Sequence, residues 1–246
     1  MATRPLPPAT PGDPPAGELA TTLATLAGTA DEAPGLDDML VRIARLAADL
    51  VEPVSYASIT AHRAGAPTTV AASSQVAIAV DVAQYGDQRG PCLDALARST
   101  PTDVTDVAAV MSWPGFRDMA WRLGLRASLS IPLFAAAGGP VAALNLYAHD
   151  PEPMAALIRH VWAVYDVGSS FTHPRSNSVE EGSEQLLSGL TAAFRVRDLI
   201  QQALGVIMGA QHLSPEAAYR LLSTTAATTG ASVLDTAIMA IRLQHL

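Results

Sequence analysis

The 246-residue sequence contains no lysine. Its 15 basic residues are all arginine and face 23 acids, giving a net charge of -8 at pH 7. That balance excludes a broad basic field, and with it generalised affinity for nucleic acid. Cysteine is nearly absent too. Cys92 stands alone, which excludes an internal disulfide and a Cys-x-x-Cys metal or redox site. Aromatic residues are only 5% of the chain, so a core has to be built from Ala, Val, Leu and Ile. No stretch approaches the roughly 18 consecutive apolar residues of a membrane span. The first residues lack the apolar segment of a signal peptide. The chain is therefore expected to be soluble and cytoplasmic.

Apolar residues are plentiful, at 49%, and 46 of them are alanine. The charge is unevenly spread. Residues 184–246 hold Arg195, Arg197, Arg220 and Arg242 against Glu184, Asp198, Glu216 and Asp235. These cancel, so the whole negative balance lies in residues 1–183.

Residues 1–16 are rich in proline and small side chains, and read as a disordered tail. Leu36, Leu40, Ile43, Leu46 and Leu50 recur at helical spacing. Two short strands follow, VSYASITAHRAG and PTTVAASS, with a hairpin turn at Arg63-Ala64-Gly65-Ala66. Residues 76–85 are apolar but fit no single period. Gly90-Pro91 opens a helix through PCLDALAR, with proline at the first helical position. A short strand is expected over Thr102–Val107, and a helix from Trp113 to Leu123 that stops at Gly124. RASLSIPLF and PVAALNLYA read as strands joined by a tight turn at Gly138-Gly139. A helix over 151–171 carries Met154, Ile158, Val161, Tyr165 and Gly168 on one face. Residues 173–183 are polar, contain Pro174, and read as a linker.

The rest of the sequence is helical in three pieces, about 184–211, 215–228 and 232–243. Ser214 caps the second piece, Pro215 opens it and Gly230 closes it. In the first piece Leu186, Leu190, Ala193, Arg197, Ile200, Leu204 and Ile207 alternate steps of four and three, which is coiled-coil spacing. Their row predicts a dimer seam. Gly205 lies in the same helix at a propensity cost of about 1 kcal/mol, and close approach by another helix would offset it.

Arg197, Ile200, Gln202, Ala203, Gly205, Ile207 and Met208, followed by SPEAAYRLL and ASVLDTA, resemble the ANTAR domain over about residues 184–243. The resemblance implies a helical stem and three-helix bundle that binds paired stem-loops in leader RNA, usually as a homodimer, and antiterminates transcription. Arg195, Arg197, Gln201, Gln202 and Arg220 are the implied RNA-binding residues. The family usually carries a basic residue where Leu204 stands, and a polar and a basic one near Thr229–Ser232. Upstream, YGDQRGPCLDAL, WPGFRDMAWRLGLRASLSIPLF and VAALNLYAHD resemble GAF domains, which are small-molecule sensors built on an antiparallel sheet. Tyr85, Cys92, Trp113 and Asn145 are the implied pocket residues. The resemblance identifies neither a ligand nor a cofactor.

The expected fold is thus α+β: a sensor domain over 17–172, a linker over 173–183 and an RNA-binding module over 184–246. Cys92 is expected to be a buried structural residue, since a small apolar role is the commoner fate of cysteine. Asp94, Asp103 and Asp106 suit either a ligand or helix caps. The six histidines show no paired ligand spacing, so no metal site is expected. Enzymatic activity is not expected. The alternative function is a dimeric sensor or interaction protein whose helical module no longer binds RNA.

Overall fold

In the computed structural model, residues 17–167 and 180–243 are described. The proposed tail, most of the linker, and Gly168 to Phe171 of the helix expected over 151–171 lie outside them.

Serine and threonine alternate with apolar residues along Tyr56–Arg63 (β1) and Ala127–Phe134 (β4), and the same two-residue period continues in Pro140–Ala148 (β5). With Ala66–Ala72 (β2) and Thr102–Val104 (β3) they form a five-stranded sheet in the order β2-β1-β5-β4-β3, every pair antiparallel. Successive side chains point to opposite faces. The sheet therefore has one face of Ala57, Ile59, Leu129, Ile131, Leu144 and Leu146, and another of Ser58, Thr60, Ser128, Ser130, Asn145 and Tyr147. All twelve are buried. The β1–β2 turn needs left-handed backbone at two positions, and Ala64 and Gly65 adopt it, with φ of 51° and 82°.

The apolar face packs under Glu18–Ala27 (α1), Leu36–Leu50 (α2), Pro151–Val167 (α6) and the start of Glu181–Gln211 (α7). The polar face lies under Gln75–Asp87 (α3) and Pro91–Arg98 (α4), with Pro114–Arg122 (α5) against α3. The stretch that fitted no period is thus a helix. Ser74 caps α3 by accepting from the amide of Val76. Pro215–Thr229 (α8) and Val233–Leu243 (α9) fold against the second half of α7. Ser214 accepts from the amide of Ala217, and Gly230 closes α8 at φ 69°, as their positions predict.

Four expectations are corrected. Residues 181–183 belong to the first turn of α7, not to a linker, because Gly182 lets that turn sit directly against the Leu50 carbonyl. The row Leu186, Leu190, Ile200, Leu204 and Ile207 is buried within one chain. Its first part packs on α1 and the sheet, its second on α8 and α9, so the row is not an open dimer seam. Gly205 has nothing within 4 Å of where a Cβ would stand. It points away from the row, so no helix approaches there. The close approach is at Gly189, where a Cβ would lie 2.7 Å from Ala20 Cα. Last, the connection between β4 and β5 is not a tight glycine pair. It spans residues 135–139, with a register shift at Leu133/Phe134 and Gly138 at φ 96°.

Candidate functional site

Asp81 enters the polar face of the sheet from the middle of α3. Its neighbours in that helix, Val80 and Gln84, are fully buried, and so is its own side chain. Its Oδ1 accepts from the hydroxyl of Tyr147 at 2.6 Å and from Asn145 Nδ2 at 3.3 Å; its Oδ2 accepts from Thr69 at 2.8 Å. Asn145 Nδ2 also donates to Thr60 at 2.9 Å and Ser58 at 3.2 Å. Tyr85, half-buried, lays its hydroxyl 2.8 Å from Thr60 and 2.9 Å from Thr69. Gln84 spans Tyr147 and Cys92, donating to the phenol at 3.2 Å and accepting from the Cys92 amide at 3.0 Å.

Burying a carboxylate without a cationic partner disfavours its charged form. Desolvation accordingly pushes Asp81 up to about 6, although four side-chain hydrogen bonds pull the other way. Burial, then the nearby Asp81 charge, pushes the phenols of Tyr85 and Tyr147 and the thiol of Cys92 above their ordinary ranges. A thiol held protonated is a poor nucleophile, so Cys92 here packs with Leu96 and Ala143 as a small buried residue. Asn145 Oδ1 and Ser128 Oγ are buried with no hydrogen-bond partner among the described residues. Two unsatisfied buried polar atoms and a carboxyl raised by burial make this cluster the candidate site of the domain.

Of the expected pocket residues, Tyr85, Cys92 and Asn145 meet around this cluster. Trp113 does not. It precedes α5 and stacks edge-on against Phe116, with ring centres 6.5 Å apart, in an apolar cluster that also holds Val80 and Tyr147 and so adjoins the polar one. Asp94 pairs with Arg98 at 3.1 Å, Asp103 accepts from the Trp162 indole at 2.9 Å, and Asp106 caps a short turn at Ala108. Sequence reading missed Asp81, Ser58, Thr60, Thr69, Gln84, Ser128 and Tyr147. For Ser58, Thr60, Ser128 and Tyr147 the signal was present as polar residues at every second position of three strands; Asp81, Gln84 and Thr69 carried no such pattern.

The expected RNA-binding residues are divided. Arg195 and Gln202 are exposed. Arg197 instead donates to the Gly138 carbonyl at 2.9 Å, with its guanidinium 4.0 Å over the Phe134 ring. Gln201 reaches the same loop, its Nε2 lying 2.6 Å from where a Cβ on Gly138 would stand. Ala136, at the loop tip, is 2% exposed and packs among Ile200, Ala203 and Leu204. Asp31, between α1 and α2, accepts from the Ala137 amide at 2.9 Å and from the Tyr219 hydroxyl at 3.4 Å. Arg220 and Gln201 line a groove of about 540 Å³ together with Asp31, Glu32 and Glu216. Leu204 is 5% exposed, so the position that is usually basic has become part of the helical core.

The model of the GAF domain family matches residues 33–162, which takes in the whole sheet and the helices over its polar face. The chain belongs to the GAF domain family. The polar cluster lies inside that GAF domain. The ANTAR domain model matches residues 188–239, most of the helical module. Domains of these two kinds are typically sensory and RNA-binding, not catalytic.

Solved structures similar to this chain include a domain of a protein named as a two-component sensor histidine kinase from Sinorhizobium meliloti 1021. It is 16% identical over 68% of this chain and 89% of that one, with a TM-score of 0.37. A GAF domain region from Geobacter sulfurreducens PCA is 15% identical, over 65% and 93%, at a TM-score of 0.40. The type II free methionine-R-sulfoxide reductase of Thermoplasma acidophilum is 10% identical, over 59% and 91%, at 0.33. No curated protein matches the chain. Among the described residues, no helix is long and apolar enough to cross a membrane.

Proposed function

We propose that this protein is a ligand-responsive regulator that binds structured leader RNA through its ANTAR module and antiterminates transcription. The observation that carries the reading is one chain joining a GAF domain, with a buried polar cluster around Asp81, to an ANTAR module. The cluster holds one carboxylate and, among the residues named above, no basic side chain. It suits a neutral or cationic ligand that donates hydrogen bonds to Asn145 Oδ1 and Ser128 Oγ. On the module, Arg195, Gln202 and Arg220 are exposed and suited to phosphate and unpaired loop bases. The test is a mobility shift with RNA carrying two stem-loops, repeated at two salt concentrations. Binding that weakens as salt rises supports the reading, because phosphate contacts release counterions. Its absence at low salt refutes it.

A second reading is favoured by one observation. Leu204 is buried where the family usually carries a basic residue, and residues 184–246 have no net charge. On this reading the ANTAR module relays the GAF state to a protein partner and binds no RNA. Either way, a homodimer would have to form through a surface other than the row from Leu186 to Ile207.

A further inference from the structure

We propose that the GAF domain's own β4–β5 loop and an RNA ligand are alternative occupants of one face of the ANTAR module, the face carrying Arg197, Gln201 and Arg220. The inference rests on the RNA-binding reading and adds how that binding is controlled.

Arginine holds RNA in two ways, by donating to phosphate and by stacking on bases. In this structure Arg197 already uses both, donating to the Gly138 carbonyl and lying over the Phe134 ring. It cannot offer the same fork to RNA without leaving the loop. Gln201, itself exposed, lies close beside the same glycine. Ala136 seals the arrangement by inserting into the module's apolar core. Asp31 fixes the loop from behind through the Ala137 amide and reaches Tyr219 of α8 with the same carboxylate oxygen. The groove that Arg220 lines is also lined by Asp31, Glu32 and, on α8 itself, Glu216. An RNA backbone entering there would meet these carboxylates, and like charges at close range repel. The docked form therefore excludes RNA by occupancy and by charge.

The same two strands supply both ends of the device. Ser128 and Ser130 on β4, and Asn145 and Tyr147 on β5, line the polar cluster; β4 ends at Phe134 and β5 starts at Pro140, on either side of the docking loop. A ligand that shifts these strands shifts the loop directly. When only a fraction of molecules is open, apparent affinity falls by that fraction. Releasing the loop then raises RNA affinity with no new RNA contact.

The test uses the full chain. RNA with two stem-loops is titrated by filter binding against wild type, Asp31→Ala and Ala136→Glu. The second variant puts a charge into the module's core from a loop tip that is solvated once released, so the GAF fold is spared. Release is read separately from the thiol of Ala136→Cys, with and without Asp31→Ala, against the unsubstituted chain, whose single thiol, Cys92, is buried. The expected result is faster thiol modification when Asp31 is removed, and RNA affinity about tenfold higher for both releasing variants. Adding Arg197→Ala should cancel the gain. If release is seen and RNA affinity stays at the wild-type value, the competition is overturned while RNA binding stands. If neither wild type nor the released variants bind RNA, the RNA-binding reading fails and takes this inference with it. If the thiol of Ala136→Cys reacts at full speed in the otherwise unchanged chain, the loop is not docked and the inference is overturned.

Discussion

Arg197 and Gly138 are joined by a 2.9 Å hydrogen bond across 59 residues of sequence. The bond ties the ANTAR module to the GAF domain, and the Phe134 ring under the guanidinium adds a cation–π contact. A charge-assisted hydrogen bond contributes about 1.5–3 kcal/mol and an exposed cation–π contact about 0.5–1 kcal/mol. Because Arg197 is only part-buried, Arg197→Ala should cost about 1–2 kcal/mol. Arg197→Lys should recover less than half, because an ammonium cannot stack its charge flat over Phe134 while donating sideways. Urea unfolding measures both, and an unchanged midpoint for the alanine variant would remove the contact from the account.

Two glycines of α7 should respond to alanine with opposite signs. At Gly189 a Cβ would stand 2.7 Å from Ala20 Cα and 2.9 Å from Leu23 Cδ1. Backbone cannot yield cheaply, so Gly189→Ala should destabilise by about 1–3 kcal/mol. At Gly205 nothing lies within 4 Å, and alanine is the better helix former. Gly205→Ala should stabilise by about 1 kcal/mol. Thermal unfolding of the pair decides both signs in one experiment.

Asp81 should leave a signature in the pH dependence of stability. Folded, its carboxyl titrates at about 6; unfolded, it returns to about 3.9. The folded protein thus binds this proton more tightly. Its contribution is fully present below about pH 4 and is lost as pH rises to about 6, by roughly 3 kcal/mol. Asp81→Asn cannot titrate and should flatten that slope, though its amide also turns a donor toward Thr69 or Tyr147. Denaturant midpoints between pH 4 and 7.5 test this. A variant that keeps the wild-type slope would assign the titration to another group.

Cys92 should resist thiol reagents in the folded protein and react once the chain is unfolded. Its side chain is fully buried, and its thiol is raised by desolvation and by Asp81. Cys92→Ala should cost about 1 kcal/mol and leave ligand and RNA responses in place. Rapid stoichiometric labelling under native conditions, with loss of response, would reinstate a reactive role.

How much of this was legible in the sequence depended on how far away each residue's partner lies. The helix over Leu36–Leu50, the Ala64-Gly65 turn and the Ser214-Pro215 start declare themselves within a few residues, and each stands where it was expected. The apolar row of α7 was equally plain, but a stripe shows only that it is buried, not what covers it. The cover of its first part is α1, packed from 166 residues earlier, as the contact of Leu19 with Gln185 shows. That helix starts at Gly17 without a side-chain cap, so nothing local announced it. Asp81 was hidden for a related reason. A lone acid in an apolar helix is informative only once Tyr147, Asn145 and Thr69 are seen to converge on it.

The 31 residues of α7 place its ends in different cores. The boundary that sequence families draw, at residue 188, cuts between Leu187 and Leu190, which face one apolar cluster. A module transplanted from residue 188 onward would leave Leu186 and Leu187 behind and strip Leu190 from the α1 helix that covers it. The unit of exchange is therefore not the domain as read along the chain. A working chimera would have to carry α1 together with all of α7, two segments that are far apart in sequence and inseparable in space.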